Sequence, residues 1–543
     1  MGSSRYLCTM FVQRKANKSG SYSVIIKEKG RHGRCNKVVK TLGVSSDERE
    51  LQELERKGWE YIDSLRGPLL PMDYNDPFEA GLEKFLSGIS NAHVRVIGPE
   101  LIYGSLYDRI GYGALHNDMF RHLVICRLFN PGSKLRTVDY LRHYLGVDYD
   151  VEAVYKFLDN LCFRKEKDCK KGKDGKPVKH EGEDIKAQVE RISYEWTKKQ
   201  CGGKVSVVFY DMTTLYFEAE QEDDLRKPGF SKDGKHACPQ IFLGLLVAAG
   251  GNPIGYEIFE GNIFEGKTLI PVIERLAKKF GFDLPIVVAD SGLLSKANME
   301  ELAKNGYEYI IGARVKNETD EVKQAIIAMD LQYGDVKVID KGGGIRLVVS
   351  KSEKRAKKDA HARKKGMERL QKRFKTGKLT KDNINKRGYN KYLKLEGDVT
   401  VTIDMDRFEA DAVWDGVKGH VTNTKLDEGC VLSSYSNLWF IERAFRMNKG
   451  DLRARPIFHR LHNRIEAHIC ICFTAYTIML ELERMLKAAK SEITIYQAAQ
   501  LTKTMYQLNY YMPNSHRKMS TILQMDSEQQ ELYDIVSQKK AIS

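Results

Sequence analysis

The chain has 543 residues, 42% hydrophobic and 30% charged, enough for several domains with cores of their own. Its net charge of +15, from 88 Lys and Arg against 73 Asp and Glu, suits a polyanionic partner, most often nucleic acid. No apolar run reaches the ~20 residues of a membrane span, the first residues lack the apolar stretch of a secretory signal, and the ten cysteines include no paired CxxC motifs for a zinc ribbon, so the expectation is a cytoplasmic protein without membrane attachment.

Residues 5–43 read as short strands, "YLCTMFVQRK", "YSVIIKEKG" and "NKVVKTLG", with turn residues at Ser19-Gly20 and at 31–33. A helix follows over 46–64, with Ser46 as its N-cap. Together 1–90 form a small basic module of strands and a helix. Over 91–200 the pattern is helical: "NDMFRHLVICRLFN" stops at Pro131-Gly132, and "SKLRTVDYLRHYLG" and "VEAVYKFLDNLCF" continue it. The basic stretch "RKEKDCKKGKDGKPVKH" is a loop that marks a boundary.

From about residue 204 the elements become specific. "VSVVFYD" is a strand ending at Asp211, and "IFLGLLVAAG" and "NPIGYEIFEG" are two more, joined by Gly250-Gly251-Asn252. "TLIPVIERLAKKFG" is a helix with Thr268 as N-cap and Gly281 as stop. "LPIVVAD" is a strand ending at Asp290, "SKANMEELAKNG" a helix capped by Ser295, and "YEYIIGAR" a strand. The order β-β-β-α-β-α-β predicts an α/β fold, a ribonuclease H-like mixed sheet flanked by helices. A right-handed crossover would set the strand ending at Asp290 beside and parallel to the one ending at Asp211, at the sheet edge where open α/β sheets carry their sites.

Residues 351–378 are dense in Lys and Arg, and "DVTVTIDMD" and "GHVTNT" after them read as strands. This predicts a β-rich insertion over 316–430 that interrupts a core made of 201–315 and 431–487. The last core segment is helical, in "SYSNLWFIERAFRMNKGD" and "NRIEAHICICFTAYTIMLELERMLKAA", where Cys470 and Cys472 read as buried. The tail, 488–543, reads as a short helix with polar segments.

The helix "NLWFIERAFRMNKG" offers a third acid, Glu442, which shares a face with Arg446 and Lys449 at i, i+4 and i+7, while Trp439, Ile441 and Phe445 could face the core. Three converging carboxylates repel one another, and a divalent cation removes that problem. Two hard cations roughly 4 Å apart can activate an attacking hydroxyl and stabilise the leaving oxygen of a phosphodiester. All-oxygen ligands favour Mg²⁺ or Mn²⁺. Singly, strand-end aspartates cap turns and Glu442 is a solvated helix position. The fold order, the apolar residues before both aspartates and the basic helix reverse that reading.

These residues resemble a known family. "YSNLWFIERAFRMNK" is similar to the Y-x2-R-x3-E-x6-K signature of DDE transposases of insertion sequences, with Tyr435, Glu442 and Lys449 at the right spacing. Leu438 stands at the Arg position, leaving Arg443 or Arg446 to take over its phosphate contact. "YDMTTLYFE", "VVADSGLLS", "LRKPGFSKDGKHACPQ", "WDGVKGHVTN" and "RPIFH…RIEAHICICF" carry the resemblance through residues 200–480. It implies cut-and-paste DNA transposition: metal-dependent cleavage at transposon ends by water, then attack of the freed 3′-OH on target DNA. Asp211, Asp290 and Glu442 would hold two Mg²⁺ or Mn²⁺ ions, and Tyr435 and Lys449 would contact DNA phosphates near the scissile bond. Trp414 is a candidate to stack on a flipped base, or an ordinary packing aromatic. The partners implied are double-stranded DNA, as terminal inverted repeats and as target, and a second copy of the chain on paired ends, in the nucleoid. Phosphate binding falls to the basic run and end recognition to the helical 91–200 region, with the strands of 5–43 as a second candidate. The alternative is a catalytically inactive DNA-binding derivative that acts as a regulator or inhibitor. A general metal-dependent nuclease would fit the core but needs neither the insertion nor the signature helix.

Overall fold

The computed structural model describes residues 10–28, 36–65, 77–162, 183–218, 221–229, 238–281, 284–293, 295–376, 388–396, 400–512 and 517–538. They fall into two compact units. One holds the N-terminal residues through 102, 144–146, and 483 onward; the other holds 103–143 and 147–482. Residues 5–9, the turn at 31–33 and the basic loop 164–180 lie outside the described residues.

In the terminal unit, strands Met10–Ala16, Tyr22–Glu28 and Lys37–Ser45 form an antiparallel sheet in that order, followed by helix Glu48–Leu65. Val24, Ile26, Leu51 and Ile62 are buried. Arg14 on the first strand pairs with Glu48 and Glu55 on the helix. The cap is Asp47 and not Ser46, because the Asp47 carboxylate accepts from the Arg49 amide at 2.7 Å. The C-terminal segment is more ordered than its polar sequence predicts. It adds helices Ile495–Leu501 and Ser527–Ser537, and strands Tyr506–Tyr511 and Lys518–Ile522 that extend onto Val94–Val96.

The larger unit is built on a mixed sheet. Its elements are β1 (Val207–Tyr216), β2 (Gln240–Ala248), β3 (Pro253–Glu260), α1 (Leu269–Phe280), β4 (Ile286–Ala289), α2 (Lys296–Lys304) and β5 (Tyr309–Ala313), in the expected order. Then come β6 (Val336–Asp340), β7 (Arg346–Lys351), α3 (Glu353–Lys375), β8 (Val417–Thr422), α4 (Glu428–Ser436), α5 (Trp439–Lys449) and α6 (His462–Ala488). Among the described residues the sheet has eight strands, ordered β6-β7-β8-β5-β4-β1-β2-β3. The stretch read as an insertion is therefore not set apart from the core. It gives three strands to the same sheet, with β8 antiparallel to β5. What does stand apart is the hairpin of Leu393–Glu396 and Thr400–Ile403, whose small core is Met367, Leu370, Tyr392, Leu393 and Val401.

Strand alternation decides which side chains reach which face. Val208, Tyr210 and Met212 of β1, Val287 and Ala289 of β4, Ile311 of β5, and Val417 and Val421 of β8 enter one apolar core. The residues between them, including Phe209, Asp211, Asp290, Gly312, Lys418 and His420, take the opposite face.

Two caps differ in character. Ser295 caps α2 as expected, accepting from the Asn298 amide at 3.1 Å. Thr268 does not cap α1, since its hydroxyl donates to the Glu265 carbonyl at 2.7 Å and accepts from Tyr210 at 3.0 Å. Helix Ile185–Gln200 is joined to α1 through charge: Glu190, 1% exposed, accepts from Arg275 at 3.1 Å and Lys279 at 2.8 Å. Against the sequence reading, α6 is long and apolar enough to cross a membrane, but 94% of that stretch is buried inside the protein. Cys470 and Cys472 on it are buried and unbridged, and Tyr476 donates to the Gly251 carbonyl at 2.9 Å.

Candidate active site

Asp211 does not end its strand: β1 runs on to Tyr216, pairing with β2 throughout. What ends is the parallel ladder with β4, whose last pair is Tyr210 with Ala289. Asp211 and Asp290 are thus the residues that directly follow the last pair of that ladder. The Asp211 carboxylate accepts from the Met212 amide and the Asp290 carboxylate from the Ser291 amide, each at 2.7 Å.

Glu442 arrives on α5, which buries Ile441, Ala444 and Phe445 and leaves Glu442 exposed. Phe440 meets Phe209 of β1 edge to face, with ring centroids 6.0 Å apart. Trp439 does not face the core as expected; it is 47% exposed. Asp211, Asp290, Glu442, Tyr435, Leu438, Trp439 and Trp414 all line one cleft of about 920 Å³. Trp414 also packs against the sheet core, the packing role weighed for it. Arg443, Arg446 and Lys449 are not among the cleft-lining residues. Burial raises the Asp451 carboxyl, and the charges of Arg446 and then Arg443 act to lower it.

Tyr435 on α4 is buried, and its hydroxyl donates to Asp290 Oδ1 at 3.1 Å. Burial, then the Asp290 charge, pushes its phenol well above the ordinary range. Its ring is gripped from the sheet: the Lys418 ammonium lies 4.3 Å from the centroid, and the His420 ring centroid is also 4.3 Å away. Neither ring nitrogen of His420 has a hydrogen-bond partner among the described residues. Burial, then Lys418 and Arg355, lowers that imidazole to about 3, so it is neutral. Gly312 lies beneath the Tyr435 hydroxyl, where any Cβ would collide with it.

Most cations around the cleft are held by acids. Lys316 and Lys391 pair with Asp411, Arg363 with Asp415 at 2.6 Å, and Arg355 with Asp359 at 3.4 Å. Burial raises the Asp411 carboxyl, but hydrogen bonds from Lys391, Tyr392 and Lys316 outweigh it and leave the group well below its usual range. Sequence reasoning passed over Gly312, Lys418 and His420, although the last two stand in the "WDGVKGHVTN" motif it quoted. The same motif ends in Asn423, whose amide joins the Tyr309 N–H and the Tyr307 carbonyl.

Among the described residues no three Asp, Glu, His or Cys side chains are gathered tightly enough to grip one metal ion as they stand. The donor chemistry nevertheless fits hard divalent cations, since the three acids of the cleft floor offer oxygen alone.

The run β3-β2-β1-β4-β5 is the strand order of a ribonuclease H-like core. Residues 174–478 match the model of the transposase DDE domain, and the chain belongs to that family. Proteins of this family generally work with divalent metal ions. Similar solved structures include the piggyBac transposase synaptic complex with hairpin DNA, at 10% identity and a TM-score of 0.33 over 57% of this chain. Another is the Mos1 transposase paired-end complex with the left transposon end, at 16% identity and a TM-score of 0.15 over 33% of this chain. The chain covers 54% and 53% of those two proteins, about half of each. No curated protein sequence matches it.

Proposed function

We propose that this protein is an active transposase that cuts duplex DNA at the ends of its element and joins the freed 3′-OH to target DNA. One observation carries the reading: Asp211, Asp290 and Glu442, from two strands and a helix far apart in sequence, line a single cleft. Asp211, Asp290 and Glu442 would hold two Mg²⁺ or Mn²⁺ ions, which supply activation of the attacking hydroxyl and stabilisation of the leaving oxygen.

The chain's own residues set the geometry. Asp211 is held on a strand that pairs with β2 at that position, and Tyr435 fixes one oxygen of Asp290. Tyr435 and Trp414 face the DNA from the cleft wall, the first toward phosphate and the second toward a base. Arg443, Arg446 and Lys449 meet the backbone away from the scissile bond, beyond the cleft. The basic helix α3 adds affinity without sequence reading. Because one such cleft serves one DNA end, two copies act on a pair of ends.

The test is cleavage of linear DNA bearing the gene's own flanks, with Mg²⁺ or with EDTA, by wild type and by Glu442→Gln. Cuts at the ends that need the metal and vanish in the variant support the reading. Tight binding of those ends with no cutting in any metal would instead establish the inactive DNA-binding protein.

A further inference from the structure

The cation that the family signature places at position 438 is absent here: Leu438 lines the cleft, only 8% exposed. The two nearby arginines that could replace it, Arg443 and Arg446, lie outside the cleft lining. A different cation is in place. Lys418 lines the cleft from β8, a strand paired on both edges by β7 and β5. Its ammonium rests on the Tyr435 ring, and the ring's hydroxyl is bonded to Asp290.

Among the described residues Lys418 has no ion-pair or hydrogen-bond partner, unlike Lys316, Lys391, Arg355 and Arg363 around the same cleft. It is half-buried, and burial, then Arg355, disfavours its charge, while Asp290 and Glu442 favour it. A half-buried ammonium without an ion-pair or hydrogen-bond partner has its desolvation cost more fully offset when an anion arrives. The aromatic ring under it restricts where that anion can sit.

We infer that Lys418 is the phosphate-holding cation of this active site, binding the DNA phosphate next to the scissile bond from the sheet side of the cleft. This rests on the transposase reading above. The lysine acts on substrate directly, with a preformed position on a rigid strand, so it stabilises charge without reorganising.

The test compares wild type, Lys418→Met and Lys418→Arg on duplex DNA carrying the element's own flanks. Binding is measured in Ca²⁺ over a salt series and cutting in Mg²⁺, and a single neutral methylphosphonate is walked across the phosphates flanking the cut. Lys418→Met should cut at least about tenfold more slowly, the loss expected for one charge-assisted hydrogen bond. Its salt slope should fall by about 0.9, one phosphate contact. One methylphosphonate position should slow wild type and Lys418→Arg but leave Lys418→Met unaffected. Equal cutting by wild type and Lys418→Met, or the same methylphosphonate penalty in both, would overturn the inference. If Lys418→Met does not fold, the comparison of Lys418→Arg and Lys418→Gln at that same phosphate decides it: a penalty kept by Arg and lost by Gln supports it, and a penalty kept by both overturns it. A wild type that neither binds nor cuts those ends overturns the transposase reading, and this assignment with it.

Discussion

Gly312 and His420 face each other across the β5–β8 ladder, and the side chain of Tyr435 lies over both. A tyrosine on a helix thereby reads the position of two strands and reports it to Asp290. Gly312→Ala should disturb this arrangement, because its methyl group would collide with the Tyr435 hydroxyl. We expect about 1–3 kcal/mol of destabilisation and a loss of cutting. Adding Tyr435→Phe, which removes the colliding atom, should recover part of the stability. A urea-denaturation double-mutant cycle checks this; additive effects would argue against the contact.

Tyr435→Phe alone keeps the ring between Lys418 and His420 and deletes only the bond to Asp290. Stability should fall by about 1 kcal/mol, the worth of one hydrogen bond, and cutting should fall further than DNA affinity does. Denaturation midpoints and single-turnover cleavage at saturating DNA measure the two effects.

The three acids should oppose one another when no cation is present. Asp290→Asn is therefore expected to raise the melting temperature of the metal-free protein. Adding Mg²⁺ or Mn²⁺ should raise that of wild type and leave the variant unchanged. Thermal melts with EDTA and with each metal suffice. Withholding metal should stop cutting while DNA binding persists.

Glu190 governs an acid-stability limb. Burial alone would raise its carboxyl, but Arg275, Lys186 and Lys279 outweigh this and hold it at about 2. The folded value lies below the unfolded one, so the stabilisation is full above the unfolded pKa of about 4.3 and is lost as pH falls toward 2. Glu190→Gln removes the buried acid of this cluster from its half-buried cations and should cost about 3–5 kcal/mol at pH 7. It should also flatten the loss of stability between pH 5 and 2, as measured by denaturation across that range.

Trp414→Ala should lose stability through its core packing and lose base stacking as well, whereas Trp414→Phe should restore most of the first. 2-Aminopurine near the cut would report the second: a fluorescence rise on binding wild type that Trp414→Ala fails to give.

The order of core elements and the three acids were legible in the sequence because apolar strands and capped helices carry their own signals. The face that Asp211 and Asp290 share follows from strand alternation, which sequence displays once pairing is known. What stayed hidden depends on partners far along the chain. Asp211 reads as a strand end because the apolar run stops there, yet β1 continues through Thr213 and Thr214, which are buried by β2. Lys418 and His420 alternate in an ordinary strand pattern, and only the packing of α4 gives them a role. Leu438 shows a missing cation in the signature, but nothing local points to a strand position twenty residues earlier as its substitute.

The three strands that β6, β7 and β8 add to the sheet have a consequence for any attempt to shorten this protein. Deleting 316–430 would strip β5 of its antiparallel neighbour and leave an open row of backbone donors and acceptors along apolar Ile310 and Ile311. Such a bare edge recruits strands from other chains. The truncated product would therefore self-associate, so this part of the chain closes the fold as well as serving the cleft.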